Sequence, residues 1–247
     1  MRREKSVFKR RSATRRGWSI AVLALLLVCL MPEVAARLQA ESNNPWGMLS
    51  LQVNSTGDLP DTSPGDGTCL TLNGQCTLRA ALEEVMVTAG THTINITVTG
   101  TIQLIGQLPV ITNSNGLNNL TINGPSANNL TINRHSGGTY RILNIIPQFN
   151  GELDVTVSGV TISNGSSAVS GGGIYTFYSK LVLDGVAFRS NSAPDGSALY
   201  TQNTNLTITN CSFSSGSGSG AAIGFDSGAF NNFTLSNSTV TDNQSAG

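Results

Sequence analysis

Three aspartates, Asp58, Asp61 and Asp66, fall within nine residues of a Gly- and Pro-rich stretch. Carboxylates this close together can supply hard oxygen ligands to a calcium ion. The spacing fits no EF-hand and no glutamate closes the loop, so turn formation with solvation is the competing reading. Calcium is the one cofactor the sequence suggests. Cys69 and Cys76 follow, enclosing a loop with the turn dipeptide Asn73-Gly74. A disulfide is the expected pairing, and zinc is the minor alternative because no further Cys or His completes a ligand set. Asp154, Lys180 and Asp184 are the weak candidates for catalysis, as acids with a nearby base. Glycoside hydrolysis needs two carboxylates about 5–9.5 Å apart, a pairing that Asp154 and Asp184 do not share on the register below. His92 and His135 stand alone, without a Ser or Cys nucleophile motif nearby.

The elements that must hold these residues are set by a repeat of about 25 residues. Four apolar positions recur: Val155, Val157, Val160 and Ile162; Leu181, Leu183, Val186 and Phe188; Leu206, Ile208, Cys211 and Phe213; Phe233, Leu235, Ser238 and Val240. Val157, Leu183, Ile208 and Leu235 step by 26, 25 and 27 residues. A second anchor follows at Ile174, Leu199 and Ile223. A fixed period of this kind is the mark of a stacked architecture. Strands of three to five residues, alternating Thr, Ile, Val and Leu with Asn, Ser and Gly, suit a parallel β-helix of three strands per coil. Val157, Leu183, Ile208 and Leu235 then form an aliphatic ladder, and each buried side chain contributes about 1.5–3 kcal/mol. Lys180 and Asp154 both lie one residue before a repeat strand and stack on adjacent coils, as a surface ion pair would. Asn164, Asn191 and Asn243 close strands, as left-handed corners or stacked amides. Tyr175, Phe177, Tyr178 and Tyr200 are read first as inward packing with ring stacking, and a sugar-stacking stripe is the alternative if they face outward.

Residues 1–16 carry eight Lys or Arg, and Trp18–Met31 is uncharged and apolar. Pro32 ends that run, and Val34-Ala35-Ala36 offers small residues. This is the order of a secretory signal peptide over residues 1–36. The apolar run is shorter than the roughly 20 residues of a membrane span. Thr14-Arg15-Arg16-Gly17-Trp18 is faintly similar to a twin-arginine signal, so export runs through the Sec or the Tat route. Beyond Ala36 there are six basic and twelve acidic residues, a net charge near −6. That balance argues against nucleic acid and against electrostatic docking to anionic lipid. Membrane association would need an uncleaved leader or a C-terminal anchor.

Residues 37–48 read as a linker, and residues 49–90 as an N-terminal cap built from a strand, the cysteine loop and a helix over 78–88. Thr77 is its N-cap, Leu78, Ala81, Leu82, Val85 and Met86 form its apolar stripe with Glu83 and Glu84 outside, and Gly90 stops it. Residues 91–247 are the β-helix. The final repeat stops before its Gly-rich turn, which predicts a chain truncated at its C-terminus.

The run Asn54-Ser55-Thr56-Gly57-Asp58, with Asp61, Pro64-Gly65-Asp66-Gly67, Cys69 and Cys76-Thr77-Leu78-Arg79-Ala80-Ala81, resembles the CSLREA domain that heads bacterial surface proteins with right-handed parallel β-helix repeats. Thr77 and Ala80 depart from its name-giving motif. The repeats carrying Gly171-Gly172-Gly173-Ile174 and Phe188-Arg189-Ser190-Asn191 are also similar to those of chlamydial polymorphic outer membrane proteins. The resemblance implies an all-β, right-handed, pectate-lyase-like solenoid with an N-terminal amphipathic capping helix, and export to the bacterial surface. It implies no activity. The expected function is therefore a secreted or cell-surface, adhesin-like module that contacts polysaccharide or other surface proteins. The alternatives are a polysaccharide lyase or hydrolase, for which Asp154, Lys180, Asp184 and Asp195 would have to converge, and an inert truncated product.

Overall fold

The structure, a computed structural model, describes residues 47–148, 153–226 and 232–245. The leader over 1–36 and nearly all of the 37–48 linker lie outside the described residues.

Short apolar/polar alternation produces short strands, and turn residues at fixed intervals fold them into coils. β1 (Ser50–Val53) buries Leu51 and Val53. The helix α1 (Leu78–Met86) follows. β2 (Gly90–Ile96) and β3 (Gly100–Leu104) open the first coil. The next is β4 (Leu117–Asn123), β5 (Leu130–Arg134) and β6 (Leu143–Ile145). Then come β7 (Leu153–Ser158), β8 (Thr161–Ser163) and β9 (Ile174–Phe177), followed by β10 (Ser179–Asp184), β11 (Ala187–Arg189) and β12 (Leu199–Gln202). β13 (Asn205–Thr209), β14 (Ser212–Ser214), β15 (Ser217–Gly218) and β16 (Ile223–Phe225) precede β17 (Phe233–Ser236), β18 (Thr239–Thr241) and β19 (Gln244–Ser245). Each strand pairs in parallel with its equivalent one coil away. The result is a first sheet β1-β2-β4-β7-β10-β13-β17, a second β3-β5-β8-β11-β14-β18, a third β6-β9-β12-β16, and the small pair β15-β19. This is the parallel β-helix that the repeat predicts.

The ladder Val157–Leu183–Ile208–Leu235 is in register on the first sheet. It extends back through Ile122 and Ile94 to Leu51. The second sheet contributes Ile102, Ile132, Ile162, Phe188, Phe213 and Val240 in register. The Phe188 and Phe213 rings stack at 4.8 Å. The third contributes Leu143, Ile174, Leu199 and Ile223. Every ladder member through Phe213 is buried, and Leu235 and Val240 of the last described coil are 45% and 52% exposed.

Corners are made by single left-handed residues. Gly159, Gly185, Asn210 and Asn237 turn the first sheet into the second. Asn164, Ser190, Ser215 and Asp242 leave the second sheet. Tyr178 and Asn203 return from the third to the first. Asn164 is thus a left-handed corner, but Asn191 and Asn243 are not; each follows the corner residue and reaches back one coil. Asn191 donates to Ile162 O and accepts from Gly165 N–H at 2.8 Å; Asn243 does the same with Phe213 O and Gly216 N–H. The position alternates Gly165, Asn191, Gly216, Asn243. A Cβ on Gly165 would lie 3.0 Å from Asn191 Oδ1, and one on Gly216 would lie 2.8 Å from Asn243 Oδ1. Each asparagine therefore needs a glycine beneath it.

The N-terminal region differs from expectation in three ways. β1 of the 49–90 region is itself the first rung of the first sheet. The helix ends at Met86 rather than 88, capped by Val87, and Gly90 begins β2 instead of stopping the helix. Thr77 is the N-cap as predicted, accepting from Ala80 N–H at 3.1 Å. Glu84, assigned to the solvent face, is fully buried. Helix α1 lies between the solenoid and the 54–76 loop, so most of its surface is covered.

Candidate interaction site

The aspartate loop is held by acids on the helix. Glu84 accepts from Gly65 and Gly67 N–H, both at 2.6 Å, and Glu83 accepts from Asp61 N–H at 2.7 Å. Asp58 is buried, pairs through both oxygens with Arg79 and accepts from Ile105 N–H. Arg79 also donates to Gly106 O and Gln107 O. Asp61 accepts from Ser63 and Leu70 N–H, and Asp66 from Thr68 N–H. The three carboxylates face different partners. No group of three or more His, Cys, Asp or Glu side chains is placed to hold a metal among the described residues. Cys69 and Cys76 form a disulfide, which closes the zinc alternative. His92 is also an N-terminal tie. It is fully buried in the ladder position next to Leu120, with Nδ1 accepting from Leu49 N–H and Nε2 facing Thr88 O at 3.0 Å.

The catalytic candidates do not converge. Lys180 pairs with Asp154 at 3.0 Å, in the predicted register and on the surface. Such a pair contributes at most about 1 kcal/mol. Asp184 lies four residues along the strand from Lys180, roughly 13 Å at the rise of a strand, and accepts from Asn210 Nδ2. Asp195 sits in the turn between β11 and β12, away from the first sheet.

Tyr175, Phe177, Tyr178 and Tyr200 face outward rather than inward, and they divide into two kinds. Tyr175 and Tyr200 stack at 5.9 Å and 5° on the outer side of the third sheet. Arg141 lies 4.8 Å over Tyr175, and the Tyr200 ring lies against the backbone at Gly224. Burial pushes the Tyr200 hydroxyl's pKa up, aided by Asp226, Asp195 and Tyr175, and it pushes the Arg141 guanidinium's pKa down. The faces of this column are covered by its own members, so its role is a structural ladder. Phe177 and Tyr178 behave differently. Their rings meet edge to face at 4.3 Å, and Tyr178 is 52% exposed at the corner between the third and first sheets. Its φ of +45° is unusual for a bulky residue. The equivalent corner one coil later is Asn203, a residue type that tolerates this conformation. Left-handed backbone costs about 1–2 kcal/mol, and the edge-to-face contact returns about 0.5–1.5. The contact with Phe177 thus offsets much of the backbone cost and still leaves about half of Tyr178 exposed.

A polar groove of about 450 Å³ lies along the second sheet, lined by Gln103, Asn133, Arg134, His135, Ser136 and Asn164. Its floor is an amide ladder: Asn164 Nδ2 donates to Asn133 Oδ1 at 2.7 Å, and Asn133 Nδ2 to Gln103 Oε1 at 2.9 Å. These amides are 30 and 31 residues apart, outside the 25-residue period, which is why the repeat did not reveal them.

Residues 110–247, more than half of the chain, match the family described as right handed beta helix region. No curated protein and no solved structure matches the chain. The parallel coils, the in-register ladders and this match together make the chain a member of the right-handed beta helix family.

Proposed function

We propose that this protein is an exported surface module whose β-helix carries a lateral contact site for carbohydrate. The reading rests on one observation: Tyr178 presents an open ring at a corner where backbone conformation favours a small residue. Residues held in rarely populated conformations collect at functional sites. An exposed aromatic ring with a polar rim, here Gln202 and Asn203, suits the apolar face of a sugar with hydroxyls at its edge. The basic and apolar leader, the disulfide and the N-terminal resemblance to CSLREA surface proteins support export into an oxidising compartment.

The test is retention of the purified chain on insoluble cellulose, chitin and cross-linked dextran. Wild type is expected to be retained on at least one of them. Tyr178→Asn, which imports the residue of the next corner, is expected to lose retention while its melting temperature stays level or rises. Retention that survives Tyr178→Asn would overturn the reading.

A further inference from the structure

The polar groove is chemically distinct from the Tyr178 corner. Arg134 is fixed by backbone carbonyls: Nε donates to Asn164 O at 2.5 Å, and Nη1 donates to His135 O and Gly138 O. Its Nη2 makes no hydrogen bond to protein among the described residues, and no carboxylate pairs with it. The lining contains a guanidinium and an imidazole and no acid. Among the described residues, the Gln103 end of the amide ladder leaves its two N–H donors unused, and the Asn164 end leaves an acceptor. A guanidinium held from one side is preorganised, so little freedom is lost when a ligand meets the other. The chain past its leader carries twice as many acids as bases, so an anion is favoured here and disfavoured over most of the remaining surface.

We infer that the groove formed by Gln103, Asn133, Arg134, His135, Ser136 and Asn164 is a subsite for the anionic group of an acidic saccharide. This rests on the carbohydrate reading and adds charge selectivity to it. Arg134 Nη2 and the Gln103 amide donate to a carboxylate or sulfate, and the Asn164 amide oxygen accepts from a neighbouring hydroxyl. The volume is within the usual range of small-ligand sites.

The experiment is calorimetric titration of the full chain with hyaluronate, dextran sulfate and uncharged dextran. Either acidic polymer is expected to bind more tightly than dextran, and the tighter of the two identifies the anion. Arg134→Gln is expected to weaken that binding about tenfold or more, as for a hydrogen bond to a charged group. Lys180→Gln, with the same charge change on another face, is expected to leave it unchanged. Because Arg134 also pins backbone, Gln103→Ala is the second variant, with an expected loss of several-fold and unchanged stability. Equal affinity for acidic and uncharged polymers, equal losses from Lys180→Gln and Arg134→Gln, or full affinity in Gln103→Ala would each overturn the subsite. Retention on neutral polysaccharide that depends on Tyr178, without acid preference, would overturn the subsite alone and leave the corner standing.

Discussion

Glu84 has no solvent exposure although it lies on the face that the amphipathic pattern gives to water. Its two oxygens take the N–H groups of Gly65 and Gly67, so the carboxylate ties the loop to the helix. Glu84→Gln is expected to destabilise the chain by about 1–3 kcal/mol, read as a lower urea midpoint at constant slope. An unchanged midpoint would show that the loop is held by other contacts. Cys211 makes the opposite case. Burial raises its thiol pKa, with a smaller push from Asp184, so the group stays protonated and enclosed. It should resist iodoacetamide in the native chain and react fully in guanidinium, followed by mass spectrometry. The role of Cys211 was legible because it occupies a repeat position. That of Glu84 was not, because its partners lie 17 and 19 residues upstream in an irregular loop and no period connects them.

At the scale of the element, the repeat foretold the ladder because equal coils keep equal spacing. Val157 to Leu183 is 26 residues, but Ile122 to Val157 is 35, so the earlier coils fall out of step in the sequence while staying in register in space. The amide ladder of the groove was hidden for the same reason. The alternation Gly165–Asn191–Gly216–Asn243 adds a two-coil period that single-coil alignment does not show. Substitution of Gly165 tests it. A Cβ there would lie 2.1 Å from Gly172 O as well as close to Asn191 Oδ1, so both backbone and side chain block it. Gly165→Ala should cost about 1–3 kcal/mol by thermal denaturation, comparable to overpacking a core. A variant as stable as wild type would mean that adjacent coils separate more easily than the Gly165–Asn191 contact implies.

The described residues present three main sheet faces with different chemistry. The first carries rows of small polar residues and the Asp154–Lys180 pair. The second carries the amide groove, and the third a column of Arg141, Tyr175 and Tyr200 whose ring faces are already covered. The solenoid was legible from spacing alone, whereas which aromatic rings are open to a ligand was not. That distinction depends on φ at Tyr178 and on the neighbours stacked along the axis, neither of which a period encodes. The most direct test is a titration of the chain, with isotope-labelled tyrosines, by cello-, chito- and dextran oligosaccharides. The four tyrosines, Tyr140, Tyr175, Tyr178 and Tyr200, give separate ring signals. Saturable shifts centred on Tyr178, with Tyr175 and Tyr200 unmoved, are the predicted result. Shifts centred on Tyr175 and Tyr200, or a Tyr178 ring that responds to none of the sugars, would contradict it.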